Sequence, residues 1–387
     1  MKRYFLPLLL ASGAGVYALG ASAAPVFDVL IGTYTGGASK GIYRYSFDSA
    51  TGRLDSAPQQ VVNSENSSWL TLSEGQKYLY AVNENGPGGA DVVGRVSAFR
   101  IDPATHDIAP INQVPTHGEE PTHSSLAKGE QHLFIANYAV QPVPGGSLAV
   151  VSVGKDGELS PVVQQQTHPA SKVNPQRQAG SHVHSVVSSP DGKFVYVQDL
   201  GADKVFVYHY DAANLTQPLT PASPEAVTLP PGSGPRHLLF TADGRHAYLT
   251  LEMSGQVAVF DVKAGNLVRK QLVDLAKGAS AEHKAGAALH FSADGKFLYV
   301  TNRGRANELL VFGVDQATGT LQEIQRRSVE GVEPREFALD PSGSFVLIAN
   351  QKSNQVVVVS RDPASGKLGD TVQTLTIDSP SDVKFLR

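Results

Sequence analysis

The chain has 387 residues, a formal net charge of −4 at pH 7 and no cysteine. The absence of cysteine excludes disulfide bonds, thiolate-ligated metals and lipid attachment at a cysteine. The slightly acidic balance differs from the basic footprint of nucleic-acid-binding proteins and indicates little beyond solubility.

The N-terminus has the pattern of a secretory signal. Lys2 and Arg3 form a charged start, residues 4–19 are largely apolar, and Ala21-Ser22-Ala23 is a small-residue cleavage site. We expect residues 1–23 to be a signal peptide, with an uncleaved anchor as the alternative. No second apolar run approaches the ~20 residues of a membrane helix. The mature chain, residues 24–387, is therefore expected to be exported and free of the membrane.

A hairpin-like unit recurs along the mature chain. Each copy joins two short apolar runs through a polar turn that contains a glycine. The turn glycines are Gly75, Gly129, Gly192, Gly244, Gly295 and Gly343. A repeat of about fifty residues, built from strands and polar turns, predicts a β-propeller.

We therefore expect an all-β chain that forms one seven-bladed β-propeller. The blades begin near residues 27, 66, 121, 181, 234, 286 and 333. The first unit lacks an inner strand, and residues 379–386 look like a first strand that no turn follows. We expect this C-terminal strand to complete the N-terminal blade, which closes the ring and removes an exposed edge.

Few segments depart from the repeat. Residues 266–277 are the one modest helix candidate. Longer loops are expected at residues 86–94, 140–146, 211–234 and 276–286, and loops of this length are often functional.

The segment 234–252, GPRHLLFTADGRHAYLTLE, shows where chemistry is expected. Asp243-Gly244 is a strong hairpin turn signal, because glycine accepts a positive φ. The start of the first strand and the end of the second then lie at the same edge. Arg236, His237 and Glu252 should therefore lie together, opposite the turn.

The other units bring further polar residues to the same mouth of the central channel. Strand beginnings contribute His182, His184 and Arg335, and strand ends contribute Glu84, Asp199, Asn302 and Arg303. A carboxylate, an imidazole and two guanidinium groups in one cleft suit the hydrolysis of an oxygen ester.

Each of these residues also has a structural interpretation. Glu252 and Arg236 could simply form an ion pair. His182 and His184 could bind a metal, although two histidines are a weak signal. His237 could be a wall residue, and Asp199 and Asn302 could cap turns through their own backbone.

The chain resembles the seven-bladed lactonase propellers, the family of 6-phosphogluconolactonase and the carboxymuconate cyclases. The matching motifs include FDVLIGTYT at 27, YAVNENG at 80, GSGPRHLLFTADG at 232, SADGKFLYVTNRG at 292 and GVEPREFALDPSG at 331. They span essentially the whole mature chain.

The resemblance implies a catalytic set of His184, Arg236, Glu252 and Arg303, with either Glu252 or His184 as general base. His182, His237, Asn302, Glu84, Asp199 and Arg335 are expected to contact substrate. No cofactor, metal or nucleic acid is implied.

The export signal makes a phosphorylated lactone a poor substrate, so we expect a periplasmic lactonase acting on glucono-1,5-lactone. The alternatives are a 6-phosphogluconolactonase, a muconate-type cyclase that forms a lactone, or a non-catalytic propeller that binds a sugar or a partner protein. The oligomeric state is left open.

Overall fold

The computed structural model describes residues 1–2, 25–139 and 147–387. The expected signal peptide, apart from its first two residues, and the expected loop at 140–146 lie outside the described residues. Within the described residues, no helix has the length and apolar character needed to cross a membrane.

The described chain folds into seven antiparallel sheets. The first three blades contain β1 (Val26–Thr33), β2 (Gly41–Asp48), β3 (Arg53–Leu54) and β4 (Gln60–Asn63); β5 (Ser67–Leu72), β6 (Tyr78–Asn83), β7 (Arg95–Ile101) and β8 (Ile108–Pro115); and β9 (Glu119–Leu126), β10 (His132–Ala139), β11 (Ser147–Val153) and β12 (Leu159–Thr167).

Blades four and five contain β13 (Val183–Ser188), β14 (Phe194–Asp199), β15 (Lys204–Tyr210) and β16 (Leu219–Thr228); and β17 (Pro235–Phe240), β18 (His246–Leu251), β19 (Gln256–Lys263) and β20 (Asn266–Asp274). Blades six and seven contain β21 (Gly286–Phe291), β22 (Phe297–Asn302), β23 (Glu308–Val314) and β24 (Leu321–Ser328); and β25 (Pro334–Leu339), β26 (Phe345–Asn350), β27 (Gln355–Arg361) and β28 (Leu368–Thr376). Two 3₁₀ turns, Ala281–His283 and Gln351–Ser353, complete the described elements.

The last strand, β29 (Pro380–Leu386), closes the ring. It pairs antiparallel with β1 and so becomes the inner strand of blade one, as the sequence predicts. The first strands of neighbouring blades then contact one another in the cyclic order β5, β9, β13, β17, β21, β25, β29 and back to β5. These seven strands line the central channel.

The core is divided among the seven interfaces between blades. In β18, Ala247, Leu249 and Leu251 pack toward blade four, whereas Tyr248 packs toward blade six. Alternate residues of a strand face opposite sides of the sheet, and here both sides are covered. The second strands are therefore buried along nearly their whole length, which explains their continuous apolar runs.

Two local expectations from the sequence are wrong. Most of the expected helix at 266–277 is strand β20 (Asn266–Asp274), which pairs with β19. The register shifts at Val259/Phe260, and this bulge breaks the two-residue alternation, so the apolar spacing imitates a helix. The supposed loop 211–234 contains β16, whose prolines are tolerated because an outermost strand has one unpaired edge.

Buried tyrosines link neighbouring blades. The hydroxyl of Tyr248 in blade five donates to the Gly319 carbonyl of blade six at 2.6 Å. Tyr196 and Tyr299 make the same bond one blade before and one blade after. The accepting glycine has φ +71° at position 319, and an added Cβ there would collide with the ring of His246.

We expect Tyr248→Phe to lower the free energy of unfolding by about 1–3 kcal/mol, because it leaves a buried carbonyl unsatisfied. Urea unfolding measures the change. Tyr78→Phe is the control, since its hydroxyl makes a longer, exposed bond to Lys155 at 3.3 Å, and it should change stability by less than about 0.5 kcal/mol. Equal effects of the two substitutions would contradict this role for Tyr248.

Candidate active site

A β-bulge recurs at the same place in every blade. In each inner hairpin, the pairing of the first two strands shifts by one residue near the channel mouth. The residues at these shifts include Ser68, Thr122, His184, Arg236, Arg335 and Ser381. A bulge leaves its extra residue outside the ladder and redirects the side chain. Three of the predicted site residues, His184, Arg236 and Arg335, are therefore presented by one repeated backbone device.

Glu252 is the centre of the site that these side chains form. It directly follows β18, and its Oε2 atom lies 2.8 Å from Arg303 Nη2, 3.3 Å from Arg236 Nε and 3.7 Å from His184 Nε2. Its Oε1 atom lies 2.6 Å from Arg177 Nη2. The structure thus brings together the four residues predicted to be catalytic and adds a third arginine.

The electrostatics of this cluster keep the carboxylate charged. Burial by itself would raise the pKa of the Glu252 carboxyl, but Arg303, Arg236 and Arg177 outweigh it and hold this pKa well below its usual range. Charges buried in this way are costly unless they are paired. Glu252 is therefore the anion that allows the arginines to lie side by side.

His184 is neutral in this environment. Burial, together with the positive charge of Arg236, holds the pKa of its imidazole well below the usual range, although Glu252 opposes the shift. Its Nδ1 atom is buried and makes no hydrogen bond within the described residues. A neutral imidazole has one nitrogen without a proton, and this nitrogen can act as a proton acceptor.

Arg236 is the most deeply buried guanidinium of the site. Its side chain is 2% exposed, and burial, with the neighbouring charge of Arg303, lowers the pKa of Arg236 to about 9. Arg303 also contacts Glu333 at 2.9 Å. Arg236 therefore remains charged near neutral pH, and both guanidinium groups can stabilise negative charge that develops at the mouth.

The opposite wall carries a second arginine–carboxylate pair. Arg335 Nη2 lies 3.1 Å from Glu84 Oε2, and the Tyr34 ring lies 5.2 Å from the guanidinium. Glu84 follows its strand just as Glu252 does, and Ser68 donates to it from the bulge. Beside this pair, burial and the charges of Glu84 and Glu119 raise the pKa of Glu120 to about 7.

The remaining predicted site residues have other environments. Asp199 and Asn302 are fully buried; Asp199 accepts from the backbone amide of His182 at 2.8 Å and Asn302 from that of Ala285 at 2.9 Å. These bonds hold the chain around the mouth and favour capping over substrate contact. The His182 ring stacks on the Tyr138 ring, with the ring centroids 4.9 Å apart. Its Nδ1 atom lies 2.7 Å from the backbone carbonyl oxygen of Tyr138.

His237 belongs to the channel wall beneath the site. Its ring lies 5.3 Å from that of His184 and 5.2 Å from that of Trp69. Its Nδ1 atom is 4.0 Å from Glu336. Burial, and then Arg236, hold the pKa of His237 well below its usual range. In the part of the chain that the structure describes, no group of three or more His, Asp or Glu side chains is arranged to hold a metal ion.

Sequence reasoning missed Arg177, Tyr138 and Glu120. Tyr138 lies at the end of β10, at a position that recurs in the other blades. Its hydroxyl is linked to the site by a 2.9 Å hydrogen bond that Arg177 donates. Arg177 lies in a segment outside the repeat, between β12 and β13. The one sequence signal for it is the unusually long interval between the turn glycines Gly129 and Gly192.

Comparisons with known proteins point to one family. Residues 28–385 match the family model described as "Lactonase, 7-bladed beta-propeller". The chain is 33% identical over 350 residues to a 6-phosphogluconolactonase of Formosa agariphila, covering 89% of this chain and 95% of that protein. It is 31% identical over 358 residues to a 6-phosphogluconolactonase of Bacillus subtilis, covering 92% and 97%.

A solved structure of a periplasmic gluconolactonase from Pseudomonas aeruginosa is also similar. It has a TM-score of 0.91 and 52% sequence identity, and the match covers 94% of this chain and 99% of that one. Fold, family model and relatives agree, and the chain therefore belongs to the seven-bladed β-propeller lactonases, a family of lactone hydrolases.

Proposed function

We propose that the mature protein is a periplasmic lactonase that hydrolyses glucono-1,5-lactone to gluconate. The observation that carries the proposal is the cluster of a neutral, buried His184, the anionic Glu252 and two buried arginines at one mouth of the channel. These are the groups that the hydrolysis of an ester requires: a proton acceptor, a charge that orients it and donors for an oxyanion.

In this mechanism, His184 takes a proton from a water molecule that attacks the lactone carbonyl carbon. Glu252 orients the imidazole and balances the positive charge that forms on it. Arg236 and Arg303 stabilise the negative charge on the carbonyl oxygen. The bond between the carbonyl carbon and the ring oxygen then breaks, and the ring oxygen receives the proton as a hydroxyl group.

The charges of the mouth support a neutral lactone over a phosphorylated one. On the wall opposite Glu252, Arg335 is paired with Glu84. Beside Arg335, Glu120 is partly ionised at neutral pH. The wall opposite Glu252 therefore suits hydroxyl groups, which carboxylates accept as donors, better than a phosphate dianion.

Export is part of the proposal. The charged start, apolar run and small-residue site of residues 1–23 support cleavage and transfer to the periplasm. The similar Pseudomonas aeruginosa protein is named a periplasmic gluconolactonase. The second candidate function is 6-phosphogluconolactonase, which the names of the Formosa and Bacillus relatives favour.

The deciding experiment compares freshly dissolved glucono-1,5-lactone with its 6-phosphate, using purified residues 24–387 and an assay of acid release. We expect kcat/KM for the neutral lactone to exceed that for the phosphorylated one by about tenfold or more, because each 1.4 kcal/mol of repulsion is a factor of ten. The reverse preference would establish the 6-phosphogluconolactonase. No rate above spontaneous hydrolysis on either substrate would overturn both.

A further inference from the structure

The segment between β12 and β13 is anchored at both ends over the channel mouth. At its start, His168 stacks on Phe206 with ring centroids 3.7 Å apart, and its two ring nitrogens bond Asp199 and Tyr208. Further along, the fully buried Gln178 donates to the Leu200 carbonyl at 2.9 Å. Side-chain contacts thus tie this segment to blade four at two points.

A compact turn within the segment fixes the backbone of Arg177. The Asn174 side-chain oxygen accepts from the amides of Gln176 at 3.0 Å and Arg177 at 3.1 Å. The Asn174 carbonyl accepts from the Gln178 amide at 2.7 Å, which closes the turn. Asparagine commonly organises turns in this way. The consequence here is a defined position for one arginine.

The Arg177 side chain spans three blades. Its Nη2 atom donates to Tyr138 of blade three at 2.9 Å and to Glu252 of blade five at 2.6 Å. The Tyr138 ring in turn lies edge-on to His184 of blade four, 5.5 Å between centroids. The guanidinium therefore bridges the two blades on either side of the proposed base.

Arg177 differs from the other arginines around Glu252 in two ways. It alone among them contacts Oε1, whereas Arg236 and Arg303 contact Oε2. Its side chain is 42% exposed, against 2% for Arg236 and 9% for Arg303. Arg177 is therefore the most solvent-exposed of the three cations that contact Glu252.

We propose that Arg177 is a further substrate-binding residue of this site, which recognises the carbonyl of the lactone and the carboxylate of the aldonate product. The inference rests on the proposed function. Among the described residues, both side-chain hydrogen bonds of Arg177 leave from Nη2, so the N–H groups of Nε and Nη1 remain as donors. Charge-assisted donors of this kind suit a carbonyl or carboxylate oxygen. The bond to Glu252 meanwhile holds the guanidinium beside His184.

The test compares Arg177→Ala, Arg177→Lys and, as the matched control, Gln176→Ala on the same turn. Steady-state kinetics on glucono-1,5-lactone give KM and kcat, and inhibition by gluconate gives the affinity for product. We expect Arg177→Ala to raise KM and the gluconate inhibition constant roughly 10- to 100-fold, the range for a lost charge-assisted hydrogen bond, with a smaller change in kcat. Arg177→Lys should recover part of the loss in KM and in the gluconate inhibition constant. Gln176→Ala should behave as wild type.

The outcomes separate this inference from the proposed function. An active wild type whose KM and gluconate inhibition are unchanged in Arg177→Ala overturns the inference alone, and a lower melting temperature in that variant would then assign Arg177 to the fold. A wild type inactive on the lactone overturns the proposed function, and the inference with it.

Discussion

Replacing Glu252 with glutamine is expected to lower kcat/KM for glucono-1,5-lactone by roughly 10²- to 10⁴-fold, the range that a positioned proton-transfer system contributes. The amide keeps the size of the side chain but removes the charge that orients His184 and would stabilise its protonated form. It also leaves the guanidinium groups of Arg236 and Arg303 without their shared partner. The loss should therefore appear mainly in kcat.

The same substitution is expected to destabilise the fold. Removing one partner of a buried ion pair costs about 3–5 kcal/mol, because uncompensated charge stays buried. Urea unfolding measures this cost. Glu323→Gln is the control, since it breaks an exposed pair with Arg326 worth at most about 1 kcal/mol.

A second variant separates folding from chemistry. Glu252→Asp keeps the charge and should retain most of the stability, but it withdraws the carboxylate from His184 and should still lose much of the activity. Full activity in a folded Glu252→Gln protein would contradict the role that we give this carboxylate.

Truncation after Ser379 is expected to abolish cooperative folding. It removes β29, which pairs with β1 along Asp28 to Thr33. It also removes Asp382, whose carboxylate accepts from the Leu70 amide of blade two at 2.7 Å. The ring would open between blades one, two and seven, with the β1 edge exposed.

Circular dichroism during urea unfolding and size-exclusion chromatography check this prediction. The truncated chain should aggregate or lack a sharp transition, whereas removal of Arg387 alone should leave the midpoint unchanged. A milder variant, Phe385→Ala, keeps the backbone of β29 but removes a ring that packs 5.4 Å from Phe47. It should cost about 3–5 kcal/mol. A truncated chain with a native-like transition would show that β29 is dispensable for closure.

The repeated frame and much of the site can be predicted from the sequence. A turn glycine such as Gly244 and the apolar runs beside it specify a hairpin, and a hairpin necessarily brings Arg236 and Glu252 to one edge. Ring closure follows because a blade without an inner strand would leave an open edge. In these cases, position depends on strand register, which neighbouring residues largely determine.

The tertiary structure decided what local register does not specify. Bulges changed the apparent period of residues 266–274, and burial turned Asp199 and Asn302 toward the backbone. Arg177 reaches Glu252 across 75 residues of sequence, from a segment outside the repeat. Its place depends on how Asn174 and Gln178 pack against blade four. The sequence by itself therefore determined the propeller and the convergence of His184, Arg236, Glu252 and Arg303, because both follow from hairpins repeated around a closed ring. Packing between distant segments added Arg177 and Tyr138.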